Sequence, residues 1–208
     1  MRCLKVFLEK FGHGHGHAHG HECDGLFSSE GCEGYNFFTG SEHMRASKLM
    51  LEKEIQQYCT EKKVTLALAE SCTGGMIAAR LTSVPGASEY FLGSFVTYSE
   101  SLKKSILHVP DAVLKKKGVV SKEAVTHMCK GVFNVTHSDY AIAVTGIAGP
   151  SGGTSKVPVG TIWCAIGRRN QKPYVWKMQL KGNRKKIVQE CTTKILEEFL
   201  IFLHACET

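Results

Sequence analysis

The chain has 208 residues, 43% of them apolar, and a formal net charge of +7. That is enough for one substantial α/β domain with an added tail. No run approaches the ~18 apolar residues of a membrane span, and the N-terminus Met1–Phe11 is too short and too charged to read as a signal peptide.

Charge and composition divide the chain at residue 44/45. Residues 1–44 hold three Lys/Arg against six Asp/Glu, and residues 45–208 hold 23 against 13. In the first segment His13, His15, His17, His19 and His21 alternate with Gly and Ala. Imidazoles at that spacing are good ligands for zinc, nickel or copper, and Cys23 and Cys32 could add thiolates. The glycine content and the lack of helical or strand periodicity predict a flexible His/Gly-rich tail with adventitious metal affinity. No catalytic metal is expected, because no ligand triad with an open position is legible in the domain. The nine cysteines are odd in number and scattered. Cys72, Cys129, Cys164 and Cys191 fall in core-like runs and read as reduced thiols of a cytoplasmic protein rather than a disulfide framework. Basic clusters at 115–117, 168–169 and 184–186 read most simply as solvated surface. They lack a nucleic-acid motif, which argues against a nucleic-acid partner and leaves attraction of a small phosphorylated ligand.

In chain order, Ser47 to Lys63 is helical, with Leu51, Ile55 and Tyr58 on one face. Val64 to Ala69 is a buried strand. It runs into the small polar turn Glu70-Ser-Cys-Thr-Gly-Gly75 and then into a helix that stops before Pro85-Gly86. Such a junction suits an anion or an activated serine, although a plain helix cap has the same residues. Phe91 to Tyr98 is a second strand, followed by a helix beginning near Ser99. Another helix covers Asp111 to Lys117. Ser121 caps a longer one whose apolar face is Val125, Met128, Cys129 and Val132. Asp139 to Thr145 is a central strand leading into the glycine-rich loop 146–158. Val159–Ile166 and Tyr174–Leu180 form an antiparallel pair, and Arg184–His204 is the last helix, with Ile187, Cys191, Ile195 and Leu200 on its apolar stripe. This order predicts a layered α/β/α sandwich with a mainly parallel, mixed sheet.

Three polar or glycine-rich turns follow the strands ending near Ala69, Val96 and Val144. If those strands are parallel neighbours, the turns converge at their carboxyl ends, where open α/β sheets bind ligands. The pocket would then gather Ser71, Thr73, Tyr98, Lys103 and Thr145. Contacts to substrate are expected from Glu70, Thr73, Gly74 and Gly75 in the first turn and from Thr145, Gly146, Gly149 and Gly153 in the last.

Several motifs in order carry a family resemblance. Ala69-Glu-Ser-Cys-Thr-Gly-Gly75, Phe95-Val-Thr-Tyr-Ser99 with Lys103, Gly118-Val-Val-Ser121, and Val144-Thr-Gly-Ile-Ala-Gly-Pro-Ser-Gly-Gly-Thr154 followed by Pro158-Val-Gly-Thr161 resemble the CinA C-terminal domain family over roughly residues 47–204. The resemblance implies a stand-alone amidohydrolase that converts nicotinamide mononucleotide to nicotinic acid mononucleotide and ammonia, in pyridine nucleotide salvage. The 44 residues ahead of the domain are too few for the nucleotide-pyrophosphatase domain of the longer family members. It implies Ser71 as nucleophile, Lys103 as its base and Tyr98 as an orienting or proton-relaying partner, with no cofactor. The expected partner is a small nucleotide, and a homo-oligomer is compatible with the sequence. The alternative is a non-catalytic nucleotide-binding regulator of the competence/damage-inducible type. One departure stands out: Glu100 puts a carboxylate where the family usually has an amide, a change that raises the pKa of a nearby lysine.

Overall fold

The computed structural model describes residues 40–206. The histidine run and Cys23 and Cys32 lie outside the described residues. Five strands form one sheet in the order β2-β1-β3-β4-β5. They are β1 (Leu66–Glu70), β2 (Phe91–Val96), β3 (Tyr140–Gly146), β4 (Thr161–Arg168) and β5 (Tyr174–Gln179). β1 pairs parallel with both β2 and β3, while β4 and β5 add antiparallel. Six helices complete the layers: α1 (Gly40–Lys62), α2 (Met76–Leu81), α3 (Glu100–Ser105), α4 (Asp111–Lys117), α5 (Lys122–Thr136) and α6 (Arg184–Ala205). The architecture is the expected layered α/β sandwich with a mixed sheet. α1 begins at Gly40, seven residues before the expected Ser47.

The alternation within the strands explains how the layers pack. Leu66, Leu68, Ile142 and Val144 face one side, where they join Ile55 of α1, Ile77 and Leu81 of α2, and Ile187, Cys191, Ile195 and Phe199 of α6. On the opposite face the fully buried residues of the central strands are alanines, Ala67, Ala69, Ala141, Ala143 and Ala165, with Trp163 of β4 packed against them half-buried. Small side chains there let α5 lie close to the sheet through Ala124, Val125, Met128 and Val132, and the Cys129 thiol reaches the Ala141 carbonyl at 3.8 Å. Ser121 caps α5 by accepting from the Ala124 amide at 3.1 Å, as its position before the apolar stripe predicts. Parallel pairing of β2, β1 and β3 brings their three carboxyl ends to one edge, and the site lies there.

Candidate active site

Ser71 is the first residue after β1, and its hydroxyl lies 3.0 Å from the Lys103 amine. Lys103 sits in the last turn of α3 and is 2% exposed. Its Nζ also donates to the Thr97 carbonyl at 2.6 Å. A carbonyl can only accept, so one amine hydrogen is fixed on Thr97. The neutral amine then has a lone pair left for the Ser71 hydroxyl proton. Burial pushes the Lys103 pKa below the ordinary lysine value, against smaller upward pulls from Cys72 and Glu100. No helix N-terminus adds to this: Lys103 lies in the last turn of its own helix, and the start of α2 is occupied by Glu70.

Above this pair opens a cavity of about 470 Å³ lined by Ser71, Cys72, Tyr98, Glu100, Lys103, Thr145, Gly146 and Gly149. Tyr98 is 58% exposed, and its hydroxyl accepts from Arg184 Nη2 at 2.8 Å rather than touching Lys103. The expected tyrosine–lysine contact is therefore absent. Arg184 also donates through Nη1 to the Gly149 carbonyl at 2.9 Å, so the guanidinium bridges the second and third turns across the cavity mouth. The sequence reading placed Arg184 in a solvated cluster. Its position as the first residue of α6, just after the Asn183 cap, aims it at the site instead.

The first turn is built differently from expectation. Glu70 is completely buried, and its carboxylate accepts from Thr73 Oγ1 at 2.7 Å, from the Gly75, Ile77 and Ala78 amides at 3.0, 3.1 and 3.0 Å, and from Ser94 Oγ at 3.1 Å. Its acceptor capacity is spent inside the protein, so it is not a substrate contact. Thr73 donates to it, the Gly75 amide serves it, and the Gly74 amide bonds the Ser71 carbonyl at 3.1 Å. None of Glu70, Thr73, Gly74 and Gly75 lines the cavity. Cys72 is the residue of this turn that lines the cavity beside Ser71.

One further expectation, Gly153, is corrected on the third turn. Thr145 lines the cavity, but its hydroxyl donates to the Val119 carbonyl at 2.8 Å. It offers only acceptor lone pairs, which suit a ligand hydroxyl and not a phosphate. Gly153 packs against Val159, where an added Cβ would lie 2.7 Å from the Val159 nitrogen. Ser151 and Gly152 line the cavity in its place. Glu100 reaches the rim, and its carboxylate pairs with Lys104 at 2.9 Å, which turns much of its charge away from Lys103.

A mixed α/β sandwich with a buried serine–lysine pair at the carboxyl ends of three parallel strands defines a recognisable class. The family model of the CinA C-terminal domain matches residues 48–203, and the chain belongs to that family. It is 46% identical over 134 residues to a CinA-like protein of Pseudothermotoga lettingae, covering 64% of this chain and 33% of that protein. It is 44% identical over 154 residues to a CinA-like protein of Thermosipho melanesiensis, covering 72% and 37%. The chain thus spans about a third of the length of the curated relatives it matches. Among solved structures, a competence/damage inducible protein from Agrobacterium tumefaciens superposes with TM-score 0.73 at 31% identity, over 81% of this chain and 99% of that one. The competence damage-inducible protein A of Klebsiella pneumoniae gives TM-score 0.71 at 31% identity, over 74% and 94%.

Proposed function

We propose that the domain hydrolyses the carboxamide of nicotinamide mononucleotide, giving nicotinic acid mononucleotide and ammonia. The observation that carries this reading is the 3.0 Å contact of the buried Ser71 and Lys103 at the floor of a pocket that a guanidinium overlooks. A serine hydroxyl becomes a competent nucleophile only when a base removes its proton, and a desolvated lysine is such a base at moderate pH.

In the proposed sequence Ser71 Oγ attacks the amide carbon while its proton passes to Lys103 Nζ. The backbone amide of Cys72, the member of the turn that lines the cavity beside Ser71, serves the oxyanion that forms. The C–N bond then breaks, Lys103 returns the proton to the leaving nitrogen, and ammonia departs. Water attacks the resulting ester, Lys103 accepts its proton, and Ser71 is released with the carboxylate product. Arg184 and the amides of the glycine-rich loop read the phosphate, and Thr145 accepts from a ribose hydroxyl. The proton of Ser71 leaves with ammonia, and the attacking water supplies, through Lys103, the proton that restores it. The protein is accordingly read as a cytoplasmic enzyme of pyridine nucleotide salvage.

The test is ammonia release from nicotinamide mononucleotide by the purified protein and by Ser71→Ala. The parent releases ammonia in proportion to nucleotide consumed, and Ser71→Ala, correctly folded, releases none above background. A parent that is saturated by the nucleotide without consuming it is a binder, and the enzymatic reading then fails.

A further inference from the structure

The buried carboxylate of Glu70 has no place in the chemistry above, yet it receives five hydrogen bonds from three separate elements. Oε2 takes Thr73 Oγ1 and the Gly75 and Ile77 amides, while Oε1 takes the Ala78 amide and Ser94 Oγ of β2. One side chain thus ties the turn after β1 to the first turn of α2 and to the neighbouring strand. A carboxylate is the only side-chain group that offers acceptors in both directions without a competing donor. Hydrogen bonds to an ionised acceptor are also the strong ones.

The backbone of the same residue continues the arrangement. The Glu70 carbonyl accepts the Thr97 amide at 2.9 Å, the Thr97 carbonyl accepts Lys103 Nζ at 2.6 Å, and Nζ meets Ser71 Oγ at 3.0 Å. Ser71 is joined to Glu70 by a peptide bond. The contacts therefore close a ring: Glu70, Thr97, Lys103, Ser71 and back to Glu70. Both members of the reacting pair hang on the residue whose side chain is anchored at five points. Neither Thr97 nor Lys103 is more than 2% exposed, so the Thr97–Lys103 side of the ring is packed inside the protein.

We infer that Glu70 is a positioning residue for the Ser71–Lys103 pair: an internal anion that immobilises the nucleophile turn and, through Thr97, sets the distance between hydroxyl and amine. The inference rests on the serine–lysine reading of the site. It also bears on what the pocket can bind. The carboxylate fills the place where the turn would otherwise offer amides to an anion, so the anionic end of a ligand is directed to the Arg184 side and away from Ser71.

Glu70→Gln tests this with the volume preserved. An amide keeps one acceptor and replaces the other with a donor, which must then face either the Ala78 amide or the Gly75 and Ile77 amides. Two readouts are taken per folded molecule: kcat and KM for nicotinamide mononucleotide, and the rate at which phenylmethylsulfonyl fluoride labels Ser71. The labelling forms an O–S bond, expels fluoride and gives the serine proton to the base, so it reports the pair without the nucleotide. The expected result is a fall of roughly 10- to 100-fold in kcat and in the labelling rate, the scale of a misplaced reacting group, with KM held within about twofold.

Thr73→Val and Thr73→Ser form a second pair that answers the question if Glu70→Gln does not fold. Valine removes the 2.7 Å bond to Glu70 at nearly constant shape, and serine keeps it. Valine should slow both readouts and serine should restore them. Parent-like kcat and labelling in Glu70→Gln, or in Thr73→Val where Glu70→Gln is unfolded, overturn the inference. A parent that is labelled at Ser71 but releases no ammonia refutes the proposed substrate alone, and labelling then decides the role of Glu70. A parent that is neither labelled nor releases ammonia refutes both, since no activated serine is present to be positioned, and in one that releases ammonia without being labelled kcat decides the role of Glu70.

Discussion

Replacing Lys103 separates a base from a spectator most sharply. In Lys103→Arg the positive charge remains, but a guanidinium does not give up its proton at any working pH. In Lys103→Met the length is nearly kept and the amine is replaced by an apolar end. Both remove the acceptor 3.0 Å from Ser71 Oγ. Loss of a general base costs about 10²–10⁴ in rate, which is about 3–5 kcal/mol in the barrier. Methionine also leaves the Thr97 carbonyl without its 2.6 Å donor, a penalty of about 1–3 kcal/mol. That is partly offset because no amine has to be desolvated.

The pH dependence follows from the direction of the shift. Burial holds the Lys103 pKa below the ordinary lysine value, and the neutral form is the active one. The parent's rate therefore rises with pH through an apparent pKa below ~10.4. Its optimum lies on the alkaline side of neutral. The stability sign is the same. Between the folded and unfolded values the unfolded chain binds more protons at this residue, so stability gains as pH rises across that window. Lys103→Met should lose that part of the slope. Glu100→Asn removes an upward influence on Lys103, so the rising limb should move to lower pH. The movement should be slight, because Glu100 is half exposed and pairs with Lys104. The assay is a pH–rate profile of ammonia release for the parent and the three variants, with thermal unfolding at each pH. Substantial turnover by Lys103→Arg refutes the lysine base and passes the role to another group.

Arg184→Met should raise KM far more than it lowers kcat. The loss of charge-assisted contacts worth about 1.5–3 kcal/mol predicts a fall of roughly 10- to 150-fold in kcat/KM, read from initial rates at several nucleotide concentrations. Gly131→Ala should destabilise the fold by about 1–3 kcal/mol through overpacking. The added Cβ would sit 2.8 Å from the Leu107 carbonyl carbon and closer still to its oxygen, and the denaturant midpoint measures the loss. Activity should survive a chelator and survive removal of the residues ahead of α1, because the proposed proton transfers use only Ser71, Lys103 and water. Loss of turnover in chelator that zinc restores would contradict the serine mechanism.

Much of this protein was legible in one dimension because its signals are local. The alternation Leu66-Ala-Leu-Ala69 records which sheet face carries large side chains and which receives a helix closely. Ser121 before an apolar stripe, and glycines at strand ends, mark caps and turns through the conformations they alone accept. The convergence of three turns followed from strand order and parallel pairing, as did the gathering of Ser71, Lys103 and Thr145 at one edge. The direction in which a side chain points, and whether its hydrogen-bonding capacity is already used, depend on neighbours that are distant in sequence. Glu70 looked available for substrate beside a polar turn. It is consumed because α2 folds back over it and Ser94 arrives from β2, 24 residues away. Arg184 looked like one cation in a surface cluster. It is drawn to the site because α6 begins at the sheet edge, and its guanidinium meets Tyr98 across 86 residues of chain. Thr97 acts through a carbonyl that every residue possesses, so no side-chain pattern could mark it. Composition and spacing thus determined the layers and the location of the pocket, while packing alone decided which polar groups remain free inside it.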